Sequence, residues 1–213
     1  MKSVALLILI SLTTFLSAQS KWGVEFKASW FNTSNSGQLG GLWNSTVLEE
    51  SDLTTNSFTL GIIYRLNDRN LLKFHQGFYQ NGSKVTVKSC SDLLGDCHTY
   101  SDFKALHNYF QLAPSYAFRI IDKRIIIPIE VGININVRTK EWKEFYPGNK
   151  KFNYDYEVST GIDYRIFPGL IIGLHALFTG YISEYQSIEE RGTYKPKSLG
   201  LEFSAMYEFG KSL

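Results

Sequence analysis

Beyond residues 1–19 the chain has no apolar run approaching the ~20 residues that a membrane-spanning helix needs. It also lacks any useful stretch with an apolar period of 3.6 residues. A helical anchor and a helical bundle are therefore not expected. Charge of one sign is missing too: 22 Lys and Arg stand against 20 Asp and Glu, for a formal net charge of +2. With no basic run and no phosphate-binding glycine loop, nothing selects a nucleic acid or a nucleotide. Cysteine is scarce, 2 in 213 residues. Cys90 and Cys97 lie close together in "SCSDLLGDCHTY". His98 adjoins them, but no second pair completes a metal-ligand set. In an oxidising compartment the two cysteines are expected to close a small loop as a disulfide.

What is present begins with an export signal. Lys2 gives a short positive region, "VALLILISLTTFL" (Val4 to Leu16) an apolar one, and "LSAQS" a small-residue exit near Ala18 or Gln19. Residues 1–19 therefore read as a signal peptide, and residues 20–213, roughly 195 residues, fit one domain. No linker or second composition regime interrupts them.

Alternation then repeats down the chain. "KWGVEFKASWF" sets Trp22, Val24, Phe26 and Trp30 against Gly23, Glu25, Lys27 and Ser29. "RIIIPIEVGININVRTK" sets Ile125, Ile127, Ile129, Val131, Ile133, Ile135 and Val137 against a face carrying Glu130, Asn134, Asn136 and Arg138. Similar patterns in "FTLGIIYRL", "LLKFHQGFY", "NYFQLAPSYAF", "FNYDYEVSTGIDYRIF", "LIIGLHALF" and "LGLEFSAMYEF" bring the period-two strands to eight. Long polar links (32–56, 82–106, 139–151 and 183–197) alternate with tight turns at 67–70, 121–124 and 167–169. This is the layout of an up-and-down barrel with long loops at one end and short turns at the other. Pro114 and Pro128 fall inside strands, where each removes a ladder donor, so a bulge or a strand rim is expected at both.

Alternation does not say which face points out, because a lipocalin-like barrel alternates with its apolar face inward. Bulk does. An eight-stranded barrel has an interior only wide enough for side chains to fill. The rings of Trp22, Phe26, Trp30, Phe58, Tyr64, Phe74, Phe78, Phe110, Tyr116, Phe118, Tyr154, Tyr156, Tyr164, Phe178, Phe203, Tyr207 and Phe209 would overfill it. The polar faces instead carry Gly61, Gly77, Gly132, Gly161, Gly173 and Gly200, which make room for long charged side chains. The expected fold is all-β: an eight-stranded antiparallel transmembrane β-barrel with a polar, side-chain-filled lumen. That lumen holds Glu25, Lys27, Arg65, Lys73, Glu130, Arg138, Asp155, Glu157, Asp163, Arg165, Glu202 and Glu208, paired so that a wide aqueous pore is not expected.

At "HNYFQLAPSYAF" the chain resembles the outer-membrane β-barrel family of Bacteroidota that includes PorT-like proteins. Tyr109, Phe110, Gln111, Leu112 and Pro114 approximate its aromatic–apolar–amide–apolar–Pro signature, with Ala113 as an extra residue. "IPIEVGININV" and "YEVSTGIDYRI" are similar to the strands that follow in that family. The resemblance implies an eight-stranded, OmpX-like barrel in the Gram-negative outer membrane, with periplasmic termini; the four long links are then expected to be extracellular loops and to form its contact surface. It also implies a role in type IX secretion or no assigned role, and it supplies no catalytic residues.

Chemistry is thinly signalled. None of the triplets at His75, His98, His107 and His175 is the His-x-Ser of a barrel lipid A deacylase. Asp92, Asp96, His98 and Asp102 crowd one link, the nearest approach to a barrel protease, and a solvated acidic loop explains them. His75 and His175 read as hydrogen-bonded lumen histidines. Asp155 and Glu157 offer a carboxylate pair for a cation, but pairing with the lumen's Arg and Lys is the expectation. No catalytic, cofactor-binding or metal residues are therefore assigned, no cofactor is expected, and no small-molecule substrate is identified. The leading expectation is a non-enzymatic outer-membrane protein, a structural or accessory component in contact with lipid and with protein partners of an envelope or secretion complex. The alternatives are a secreted lipocalin-like carrier of a small apolar ligand and a barrel hydrolase at the loop rim. "NTS", "NST" and "NGS" match eukaryotic glycosylation acceptors, but Asn/Ser-rich loops generate such triplets by chance, so they are weak support for the carrier.

Overall fold

The computed structural model describes residues 21–34, 46–51, 53–90, 97–122, 124–139, 152–182, 185–186, 193–194 and 197–209. The expected signal peptide lies outside them. The strands are β1 (Trp22–Ser34), β2 (Thr46–Ser51), β3 (Leu53–Arg65), β4 (Asn70–Cys90), β5 (Cys97–Asp122), β6 (Ile125–Arg138), β7 (Phe152–Phe167), β8 (Leu170–Tyr181), β9 (Tyr185–Gln186), β10 (Thr193–Tyr194) and β11 (Lys197–Glu208). Eight of them close one antiparallel barrel in the order β1-β3-β4-β5-β6-β7-β8-β11, with β11 pairing back to β1. These are the eight strands that period two marks in the sequence. Closure leaves no ladder edge facing outward, a requirement for any strand structure whose surroundings offer no hydrogen bonds.

Short turns gather at one end. In the β3–β4 turn Asn67 Oδ1 accepts hydrogen bonds from the backbone amides of Arg69 and Asn70, both at 2.9 Å. The β7–β8 turn uses Gly169 at φ 89°, a left-handed conformation that a side chain would strain. The longer connections lie at the opposite end.

Two expectations about connections need correcting. Most of the link expected at 82–106 is strand. β4 and β5 remain paired from the barrel out to Cys90 and Cys97, and β2 adds to this extension, from Thr46 opposite Ser89 to Ser51 opposite Lys84. A ladder that continues past the closed barrel has no wall to alternate against, so its polar sequence resembles a loop. For the same reason β2 lay hidden in the link expected at 32–56, and the β9–β10 pair in that at 183–197. The prolines, secondly, cause no bulge. Between β5 and β6, Leu112 faces Ile135 and Ser115 faces Gly132, one unbroken register across Pro114. Between β6 and β7, Ile126 faces Asp163 and Ile129 faces Thr160, again unshifted across Pro128. Each missing N–H coincides with a local gap in the ladder. The recorded irregularities are elsewhere, at Val87/Lys88 and Arg165/Phe167.

The barrel is apolar outside and polar inside. Leu199 is 67% and Phe78 66% exposed, whereas Glu25 is 1% and Lys27 3% exposed. Phe26 and Ile133 are likewise exposed. The register sorts the outer rings into two rows. Trp22, Tyr64 and Tyr116 lie near the turn end, and Phe58, Phe78 and Phe110 near the loop end. These match the aromatic girdles that flank a lipid-facing band. A lipocalin-like carrier needs the opposite arrangement, so that alternative is overturned.

Candidate functional site

The bore is stratified. Next to the turns, Ile63, Leu71, Ala117, Ile126, Ile171 and Met206 form a dry apolar septum, each at most 1% exposed. Arg119 pairs there with Glu208 and contacts Met206. Toward the loop end Phe31, Tyr79, Tyr109 and Leu177 make a second apolar cluster. It is tied by Tyr79 and Tyr181 sharing a hydroxyl–hydroxyl bond of 2.6 Å, and by Asn153 Nδ2 donating to the Tyr109 hydroxyl at 3.2 Å.

Between these layers lies a charged chamber. Lys73 Nζ reaches Glu25 at 2.9 Å and Glu130 at 2.7 Å. Lys27 Nζ reaches Glu130 at 3.0 Å and Glu202 at 3.1 Å. His75 Nε2 lies 2.9 Å from Glu25. His175 bridges Asp163 (Nε2, 2.7 Å) and Glu202 (Nδ1, 3.2 Å). Ser115 donates to Glu130 at 2.6 Å, and Ser29 to Glu202 at 3.0 Å. One continuous network therefore joins β1, β4, β5, β6, β7, β8 and β11 across the bore. Low dielectric strengthens each contact, and a charge left unpaired there would be costly. Glycine supplies the room: a Cβ on Gly173 would lie 1.9 Å from Asp163 Oδ1, and one on Gly61 2.1 Å from His75 Cδ2.

Of the lumen residues expected from sequence, Glu25, Lys27, Lys73, Glu130, Asp155, Asp163, Glu202 and Glu208 are buried and Arg65, Arg138, Glu157 and Arg165 half-buried, and His75 and His175 are buried hydrogen-bonded histidines as expected. Both ring nitrogens of His175 face carboxylates, so neither can accept a proton from a serine nucleophile. Asp92 and Asp96, and the side chains of His98 and Asp102, lie outside the described residues. The pairing expected for Asp155 and Glu157 is only partly seen: the contacts of Lys27 and Lys73 go to Glu25, Glu130 and Glu202, but the Lys27 charge acts on Glu157. Sequence reading also missed Arg119 and the septum. Ile63, Leu71, Ile126 and Ile171 occupy positions on the otherwise polar face, and an apolar residue out of phase was the signal.

The register places Cys90 directly opposite Cys97 at the tip of the β4–β5 extension. Facing residues of an antiparallel pair lie within the Cα separation that a disulfide spans. Protein purified without reductant should accordingly show no reaction with a thiol alkylator by mass spectrometry until it is reduced. Alkylation of the unreduced folded protein would refute the cross-link.

No protein-family model matches the chain, and no curated protein matches it. Solved structures do. Neisserial surface protein A (NspA) is 15% identical, with a TM-score of 0.53 over 89% of this chain and 98% of its own. OprG from Pseudomonas aeruginosa is 14% identical, with a TM-score of 0.48 over 91% of this chain and 98% of its own. Outer membrane protein W of Escherichia coli is 14% identical, with a TM-score of 0.43 over 90% and 100%. At such identities a likeness concerns fold, and the match to NspA, with its TM-score above one half, carries it: the chain has the fold of the eight-stranded outer-membrane β-barrels.

Proposed function

We propose that this protein is a non-enzymatic integral barrel of the bacterial outer membrane, exported by its N-terminal signal, and that it works as an accessory component of an envelope or secretion assembly. The observation that carries the reading is a bore blocked three times, by the septum, the charged network and the tyrosine-rich cluster. A barrel so filled has little use as a conduit, which leaves its ends to act. The most built feature at an end is the three-stranded β2–β4–β5 sheet continuing past the barrel, opposite the end that carries the short turns; in this reading the short-turn end faces the periplasm. The resemblance to PorT-like barrels supports a place beside a type IX-like secretion machine.

Two measurements test this. The purified barrel, reconstituted in planar bilayers, should give no steady conductance steps; open-channel steps would overturn the accessory reading. A photo-crosslinker at Thr86 on the extension should capture one recurrent envelope protein in cells, whereas one at Ile62 on the barrel wall should capture none. Equal yields from both positions would remove the extension as a contact surface.

A further inference from the structure

The charged chamber has too many carboxylates. Within the ion-pair network and the cavity beside it, Glu25, Glu130, Asp155, Glu157, Asp163 and Glu202 stand against four bases, Lys27, Lys73, His75 and His175, which leaves two of the six carboxylates without a base of this network even with both histidines charged. The contacts identify them. Lys27 is shared between Glu130 and Glu202, Lys73 between Glu25 and Glu130, and both histidines are engaged by Glu25, Asp163 and Glu202. The hydrogen bonds that these two carboxylates accept come from neutral amides, although the Lys27 charge also acts on Glu157 from beyond contact distance. Asn136 Nδ2 donates to Asp155 Oδ2 at 2.5 Å, and Asn134 Nδ2 to Glu157 Oε2 at 3.0 Å.

A second observation points to a ligand. Three buried oxygens in the same patch have no hydrogen-bond partner: Asp155 Oδ1, Asn136 Oδ1 and Thr179 Oγ1. Asp155 is 1%, Asn136 0% and Thr179 4% exposed. The register makes them neighbours, with Thr179 on β8 opposite Glu157 on β7, and Asp155 opposite Asn134 on β6. Asp155, Glu157 and Thr179 also line one cavity of about 20 Å³, room for one or two waters or a single ion. Two of the three unpartnered oxygens can only accept. A water would satisfy their hydrogen bonds but brings no charge to balance a buried carboxylate. All available donors are oxygens, with no sulfur or unengaged imidazole, the preference of a hard cation.

We infer that Asp155, Glu157, Thr179 and Asn136 form an internal cation site inside the barrel, suited to Ca²⁺. Calcium tolerates irregular oxygen sets and sheds water readily, whereas Mg²⁺ keeps several waters that this cavity cannot hold. The site sits beneath the Tyr79–Tyr181 bond, so the ion is captured as the barrel closes and acts as a staple between β6, β7 and β8.

The test refolds the full chain from urea into detergent micelles in either EDTA or Ca²⁺, which avoids any barrier to entry. The wild-type barrel should unfold at a higher midpoint when refolded in Ca²⁺. Refolded in Tb³⁺, it should show tyrosine-sensitised emission, since Tyr79 lines the same cavity. Asp155→Asn and Glu157→Gln remove charge without changing shape and should still fold. Each should lose the Ca²⁺-dependent shift and the emission, while Asp68→Asn, in the exposed β3–β4 turn, should lose neither. A wild-type barrel indifferent to Ca²⁺ and dark with Tb³⁺ would overturn the site and leave the two carboxyls protonated instead. Responses that persist undiminished in Asp155→Asn and Glu157→Gln would also overturn it, by placing the ion elsewhere.

Discussion

Replacing Lys73 by methionine is expected to destabilise the barrel by about 3–5 kcal/mol, the range for removing one partner of a buried ion pair. Lys73 holds Glu130 at 2.7 Å and Glu25 at 2.9 Å, deep in the bore. Methionine fills a similar volume, so the loss reports charge rather than a cavity. Without Lys73, Glu130 keeps Lys27, but Glu25 keeps only His75. The second change Glu25→Gln in the same chain should therefore recover part of the loss, whereas Asp68→Asn in the exposed turn should recover none. Urea titration of the folded barrel in micelles gives these numbers. A loss under about 1 kcal/mol, the worth of a solvated pair, would mean that water reaches the chamber and that the bore is not sealed.

The second large effect lies on the opposite face of the same wall. Val131 is exposed near the middle of β6, and Ile125 is exposed at its turn end. If lipid surrounds the barrel, Val131→Arg should cost about 2–4 kcal/mol, and Ile125→Arg only about 0–1 kcal/mol, because the penalty for a lipid-facing cation falls from midplane to interface. Unfolding titrations in lipid vesicles compare the two. Equal small costs at both positions would mean that the outer face meets water. The fold would then stand while the membrane assignment fell.

These two experiments separate what the sequence makes plain from what it hides. Inside and outside are legible because side chains alternate with period two in every strand, and because the rings from Trp22 to Phe209 exceed what an eight-stranded bore can hold. The alternation of short and long connections gave the antiparallel order. The β4–β5 extension was hidden, because a ladder that continues past the closed barrel imposes no inside–outside pattern on its side chains. The unshifted registers across Pro114 and Pro128 were hidden as well, since a missing donor in the sequence does not reveal whether its position in the ladder was already unbridged.

The candidate site divides in the same way. That Glu25, Lys27, Lys73, Glu130, Asp155, Glu157 and Glu202 enter the bore follows from period and phase, both local properties of the chain. Which carboxylate meets which cation depends on strand stagger around a closed cylinder, and Lys27 and Glu130, bonded at 3.0 Å, are 103 positions apart. Sequence composition allowed every lumen acid a partner, since Arg and Lys were available in number. The stagger instead sends Arg119 to the septum and sets Lys27 and Lys73 in contact with Glu25, Glu130 and Glu202, so that Asp155 and Glu157 have the amides of Asn136 and Asn134 as their hydrogen-bond donors. The sequence alone decided which way each side chain faces; only the closed barrel, by setting the height of each strand against its neighbours, decided what each one touches.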